Sequence, residues 1–154
     1  MPSKNDLEPM LELFYFETSQ CLGDLEQLVL GCEKNDFFDS NTIGEIFRIM
    51  HNIKSSAAMM LFNHISNLAH TVEDLFFFLR EEQPTDVDCH TLSDLVLEAA
   101  DFIKIELNKI VDNQEADGDN SILMTDIKDF LVLLEERNQV SLQDIPKIDP
   151  PKPA

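Results

Sequence analysis

The stretch from Asn41 to Leu61, NTIGEIFRIMHNIKSSAAMML, is the feature that most narrows what this chain can fold into. Wound at about 100° per residue, it brings Ile43, Ile46, Phe47, Ile53, Ala57 and Leu61 within roughly 60° of Met50, one apolar stripe on one amphipathic helix. The same three- and four-residue spacing recurs four more times. Leu7, Leu11, Phe14, Thr18, Leu22, Leu25, Leu28 and Cys32 predict a first helix over about 7–32, with Asp6 as its cap and Pro9 tolerated in the first turn. Ile65, Leu68, Val72, Leu75 and Leu79 predict a third over 63–82, stopped by Pro84. Leu92, Leu95, Val96, Ala99, Ile103, Leu107 and Ile110 predict a fourth that ends near Asp112. Leu123, Ile127, Phe130, Leu131 and Leu134 predict a fifth over 121–138. Alternating β-type patterns are hard to find. The expected fold is all-α, an antiparallel up-and-down four-helix bundle with the fifth, C-terminal helix against a flank or capping an end.

The connections support this reading. Glu33 to Ser40 is polar except for Phe37 and Phe38, whose rings are expected to close one end of the bundle, and Ser40, Asn41 or Thr42 is expected to cap the second helix. Asp112 to Asn120 is an acidic loop without EF-hand spacing or its terminal Glu. Residues 1–138 thus read as one domain. Residues 139–154 read as a proline-rich tail, with four prolines in the last nine residues, extended and unpacked. Such a tail suggests a first domain followed by more chain.

Charge excludes several functions. Thirty acidic against eleven basic residues give a net charge of −19 over 154 residues, a field that repels phosphate backbones and anionic lipid. Neither nucleic acid nor membrane insertion is expected, and no apolar run approaches the ~18 residues of a span. Partners are expected to be neutral or basic proteins, or ligands that they carry. Cys21, Cys32 and Cys89 form no CxxC pair, which argues for reduced thiols and a cytoplasmic location. The four glycines, Gly23, Gly31, Gly44 and Gly118, are scattered and form no phosphate loop.

Against this background one polar residue stands out. His51 falls near 100° from Met50, at the edge of the second helix's stripe, beside Gly44, Ser55 and Ala58, with Lys54 one turn on. Small neighbours leave such an imidazole held on one side and open on the other. His70 and Glu73 share a face of the third helix, about 140° to 160° from its apolar midline, where a solvated face is the ordinary expectation. A di-metal carboxylate bundle needs paired Glu-x-x-His motifs, and no Glu lies three before His51, His64, His70 or His90, so no metal ligands are assigned.

Phe47-Arg48-Ile49-Met50-His51-Asn52-Ile53-Lys54-Ser55-Ser56 resembles the H-x-x-K-small-small signature of histidine phosphotransfer (HPt) domains, most closely the N-terminal domain of CheA-type chemotaxis kinases. Leu68-Ala69-His70-Thr71-Val72-Glu73-Asp74-Leu75 is similar to the family's L-x-H-x-x-E-x-L pattern, and the nineteen residues from His51 to His70 agree with its spacing. The resemblance runs from the first helix through the fifth. It implies that His51 accepts a phosphoryl group on one ring nitrogen, that Glu73 holds the other, and that Lys54 and His70 complete a polar network. It implies two partners, a histidine kinase catalytic domain that supplies ATP and Mg²⁺ chemistry and a response-regulator receiver with an acceptor Asp. The domain itself carries no cofactor and, taken alone, is incomplete as an enzyme. A stand-alone phosphorelay protein and a helical interaction module without phosphotransfer are the alternatives. Where the family has glycines, this chain has Ser55, Ser56 and Leu61; the resemblance implies that those glycines admit a partner closely.

Overall fold

A computed structural model describes residues 4–144, with side chains placed for 8–140. Five α-helices make up the fold: α1 Lys4–Asn35, α2 Ser40–Met59, α3 Asn63–Glu82, α4 Cys89–Val111 and α5 Ser121–Asp144. Helices α1 to α4 form the antiparallel bundle. Each packs on its neighbours around the ring, and among the described residues the backbones of the diagonal pairs α1–α3 and α2–α4 stay apart, meeting only through the shared core. The fifth helix packs along the flank formed by α3 and α4. It runs to Asp144, six residues past the expected end at Asn138. The expected tail's prolines, at 146, 150, 151 and 153, lie outside the described residues.

The apolar stripes meet in one core. Ile46, Met50 and Ile53 of α2, Ile65, Leu68, Leu75, Phe76 and Leu79 of α3, Leu92 and Ile103 of α4, and Leu22 and Leu25 of α1 are all buried. Each such side chain contributes about 1.5–3 kcal/mol. Of the two loop phenylalanines, Phe38 closes the bundle against Phe76 at 6.2 Å between ring centroids, while Phe37 faces solvent.

Three local readings are corrected. α1 begins at Lys4, so Asp6 lies within the helix and is not its cap. The N-cap of α2 is Asp39, not Ser40, Asn41 or Thr42: its carboxylate accepts from the Thr42 N–H at 2.7 Å. A cap must precede the first helical residue in extended backbone, and Asp39 is the residue there (φ −74°, ψ 164°). Leu61 does not extend the α2 stripe. The helix ends at Met59, and Leu61 is 78% exposed with φ 65°. Leu61 N–H donates to the Ala58 carbonyl and Phe62 N–H to the Ala57 carbonyl, the Schellman pattern whose left-handed residue is ordinarily glycine. The left-handed backbone alone is a reason to prefer glycine at this position. α1, α3 and α4 end on left-handed residues too, Asp36, Gln83 and Asn113, of which the aspartate and asparagine tolerate that region better than leucine. Leu61→Gly is expected to raise stability by about 0.5–1 kcal/mol, relief of strain exceeding the flexibility gained by the unfolded chain. The urea midpoint should rise with unchanged m-value; a fall would show that the Leu61 side chain stabilises the turn.

One buried polar group sits away from these features. Glu106 of α4 is nearly inaccessible, paired with Lys109 at 3.3 Å and facing His64 Nε2 at 3.5 Å. The acidic loop closes over it. Lys109 reaches on to Asp117 at 3.2 Å, and Gly118 lies so close to the Glu106 carboxylate that a side chain there would push the carboxylate aside. Asn120 then donates to the His64 carbonyl at 2.8 Å, fixing the start of α5 to α3.

Candidate functional site

The α2–α3 pair is the most extensive helix contact in the molecule, and its short turn, Met60–Phe62, brings the polar positions of both helices together. Ser66 Oγ donates to the Lys54 carbonyl at 3.0 Å across the interface, which fixes the register of one helix on the other. In that register Glu73 faces α2. It is not on a solvated face as its helical angle suggests: its side chain is only 10% exposed. The reason is that α3 is enclosed by α2, α4 and α5, so residues well away from its main stripe are buried as well.

Glu73 uses both of its oxygens. Oε2 lies 2.8 Å from His51 Nδ1, and Oε1 accepts from Lys54 Nζ at 2.9 Å. Lys54, expected within reach of the imidazole, bonds the shared carboxylate instead. Burial pushes the Glu73 carboxyl up, but hydrogen bonds and charge from Lys54 and His51 outweigh it and hold the group below its ordinary value. The carboxylate is therefore ionised at neutral pH and can only accept. A neutral imidazole facing it carries its proton on Nδ1, which leaves the Nε2 lone pair free.

The His51 side chain is 53% exposed while Glu73 behind it is covered. Gly44, one of its small neighbours, has nothing within 4 Å of where a Cβ would stand, so this flank of the ring is open. The other flank is not. The Phe47 ring, one turn earlier, lies nearly parallel to the imidazole (18°, centroids 6.4 Å apart), and the Arg80 guanidinium of α3 stacks over Phe47 at 4.3 Å. Phe47 was legible only as a stripe residue, and nothing in the sequence pattern pointed to Arg80, because the two meet only through the α2–α3 packing.

His70, expected in the same network, makes no hydrogen bond to His51, Lys54 or Glu73. Its Nε2 pairs with Asp74 Oδ1 at 3.4 Å on an exposed part of α3. The site thus joins three of the four expected residues, His51, Lys54 and Glu73, and sets His70 beside them. The cysteines lie elsewhere. All three are free thiols, and burial pushes Cys32 up to about 11, so it is not a ready nucleophile.

The arrangement presents one exposed, tautomer-selected nitrogen with a cation behind it. Comparison with known proteins identifies the family: residues 9–112 match the Hpt domain. The chain belongs to the Hpt domain family. The Hpt domain described here is 33% identical over 126 residues to the chemotaxis protein CheA of Borreliella burgdorferi, a match that covers 82% of this chain. It is 32% identical over 124 residues, 80% of the chain, to CheA of Treponema pallidum. The chain spans only 14% and 15% of those two proteins. Its fold is similar to that of the phosphorylated P1 domain of CheA3, solved in complex with CheY6 from R. sphaeroides. The TM-score is 0.72 at 19% identity, and the match covers 82% of this chain and 98% of that one.

Proposed function

We propose that this Hpt domain carries a phosphoryl group on Nε2 of His51, receives it from ATP bound to a CheA-type kinase catalytic domain, and passes it to the Asp of a CheY-like receiver. The observation that carries this reading is the 2.8 Å contact between Glu73 Oε2 and His51 Nδ1, which leaves the exposed nitrogen as the nucleophile. In the first step the Nε2 lone pair forms the N–P bond as the bond to the ADP oxygen breaks. The Nδ1 proton stays against Glu73, whose charge stabilises the cationic ring that results. In the second step a receiver carboxylate oxygen takes the phosphorus and the electron pair returns to Nε2.

Phosphoryl transfer depends mainly on position and on neutralising charge. Lys54, 26% exposed and anchored on Glu73, places an ammonium one turn from the reacting ring. ATP and Mg²⁺ belong to the kinase domain, since the glycines of this chain form no phosphate loop. The named CheA relatives and the CheA3–CheY6 complex support the choice of partners. A cytoplasmic location fits this chemistry. No helix among the described residues is long and apolar enough to cross a membrane.

The direct test is incubation with radiolabelled ATP and a CheA-type catalytic domain, followed by mapping of the label. Acid-labile phosphate on His51 is expected, along with its loss when a CheY-type receiver is added. Label on another residue, or none with a kinase domain active on its own substrate, would overturn the proposal.

A further inference from the structure

His70, Glu73 and Asp74 occupy consecutive positions on one face of α3, and one ligand atom from each lies within 4.8 Å of the others. His70 Nε2 and Asp74 Oδ1 are 3.4 Å apart and both side chains are exposed. Two ligands on a tetrahedral zinc ion, at bond lengths of about 2.0–2.2 Å, stand roughly 3.3–3.6 Å apart. The pair is therefore already at the bite distance of one ion. Glu73 supplies a third ligand from the inner side. Both of its oxygens are already engaged, one by Lys54 and one by His51, so an ion that takes an oxygen pulls it from its present partner. The net charge of −19 concentrates cations around the domain. An imidazole with two carboxylates favours a borderline metal such as zinc over magnesium or calcium.

The molecule contains its own control. His90 and Asp94 repeat the four-residue spacing on α4, exposed and 3.5 Å apart, but position 93 holds a buried serine instead of a glutamate. One helix face thus offers three ligands and the other two.

We propose that His70, Glu73 and Asp74 form a site for a single divalent zinc-like ion, and that the ion competes with His51 for the Glu73 carboxylate. Occupancy draws the carboxylate off Nδ1, and the ring loses the contact that keeps Nε2 free. The Lys54 ammonium beside Glu73 opposes the ion and keeps the affinity modest. The competition rests on the phosphotransfer reading, whereas the binding does not.

The test is titration of the intact chain, without an affinity tag, with zinc chloride. Calorimetry is read beside the His51 ring resonances in NMR. Wild type is expected to bind one zinc ion saturably, with movement of the His51 ring signals. Asp74→Asn should weaken binding at least about tenfold, and Asp94→Asn should leave it unchanged. Magnesium at the same concentration should not compete. Equal affinity in wild type and Asp74→Asn, no saturable binding, or an Asp94→Asn effect as large would overturn the site. Zinc binding without movement of the His51 signals would overturn the competition. If zinc binds as expected but no kinase domain labels His51, the metal site stands and the phosphotransfer reading falls; labelled His51 without zinc binding gives the reverse.

Discussion

His51→Gln is expected to abolish incorporation of acid-labile phosphate from ATP and a CheA-type catalytic domain while leaving the fold intact. The loss should be complete, because no other imidazole in the described residues is hydrogen-bonded to a buried carboxylate: His64 Nε2 stands 3.5 Å from Glu106 and makes no hydrogen bond to it. His70 and His90 face only exposed aspartates four residues on, and the ring of His64 is turned into the bundle against Phe102 and Glu106. The fold should survive because the His51 side chain is half-exposed and buries no apolar area that glutamine cannot cover. A half-exposed substitution of this kind costs within about 0.5 kcal/mol, roughly 2 °C in melting temperature for a chain of this size. Acid-labile label that persists in this variant would remove His51 from its role. A large drop in melting temperature would show that the ring is part of the core.

Glu73→Gln is expected to slow phosphorylation by roughly 10- to 100-fold, the worth of one hydrogen bond to a charged group expressed as a rate. Glutamine keeps the shape, but its amide can donate to Nδ1 as readily as accept, so the imidazole is no longer held with Nε2 free. The kinase domain should still bind with an unchanged KM, because Glu73 lies behind the ring and not on the surface a partner meets. The signature is a fall in kcat alone, together with ring-nitrogen NMR shifts that report a changed tautomer. Wild-type rates in this variant would refute tautomer selection. The same substitution tests a pH effect. The folded-state value of Glu73 lies below its ordinary 4.5, so the ionised form is stabilised by folding. Its contribution is fully present above about pH 4.5 and is lost as pH falls through the lower folded-state value. The stability gap between wild type and Glu73→Gln should therefore be constant at neutral pH and narrow below about pH 4.5. A gap that widens on acidification would reverse the assignment.

Much of this architecture was legible in the chain. Long stripes at helical spacing locate helices reliably because burial of one face is what makes an isolated helix worth forming. The third helix, which begins at Asn63 and ends before Pro84, was readable to the residue. His51 at a stripe edge, Lys54 and Glu73 were readable as candidates. What was not legible depends on three-dimensional register. The helical angle of Glu73 points to solvent, and only the packing of α2 across that face buries it. The stacking of Arg80 on Phe47 joins residues on different helices, and no periodicity within either helix encodes it. Asp39 escaped because Ser40, Asn41 and Thr42 after it are equally good caps by type. Leu61 escaped because its apolar side chain fits the stripe, and a left-handed backbone marks residue identity only where glycine, asparagine or aspartate takes the position.

The turn at Met60–Phe62 has one more implication. Acceptor, carboxylate and lysine all lie on the single hairpin it closes, so the reactive geometry needs only contacts that are near in sequence. Loop closure over so short a span is fast and costs little entropy. The hairpin is thus expected to acquire native order before α1, α4 and α5 dock, and its amides should be among the slowest to exchange with solvent deuterium.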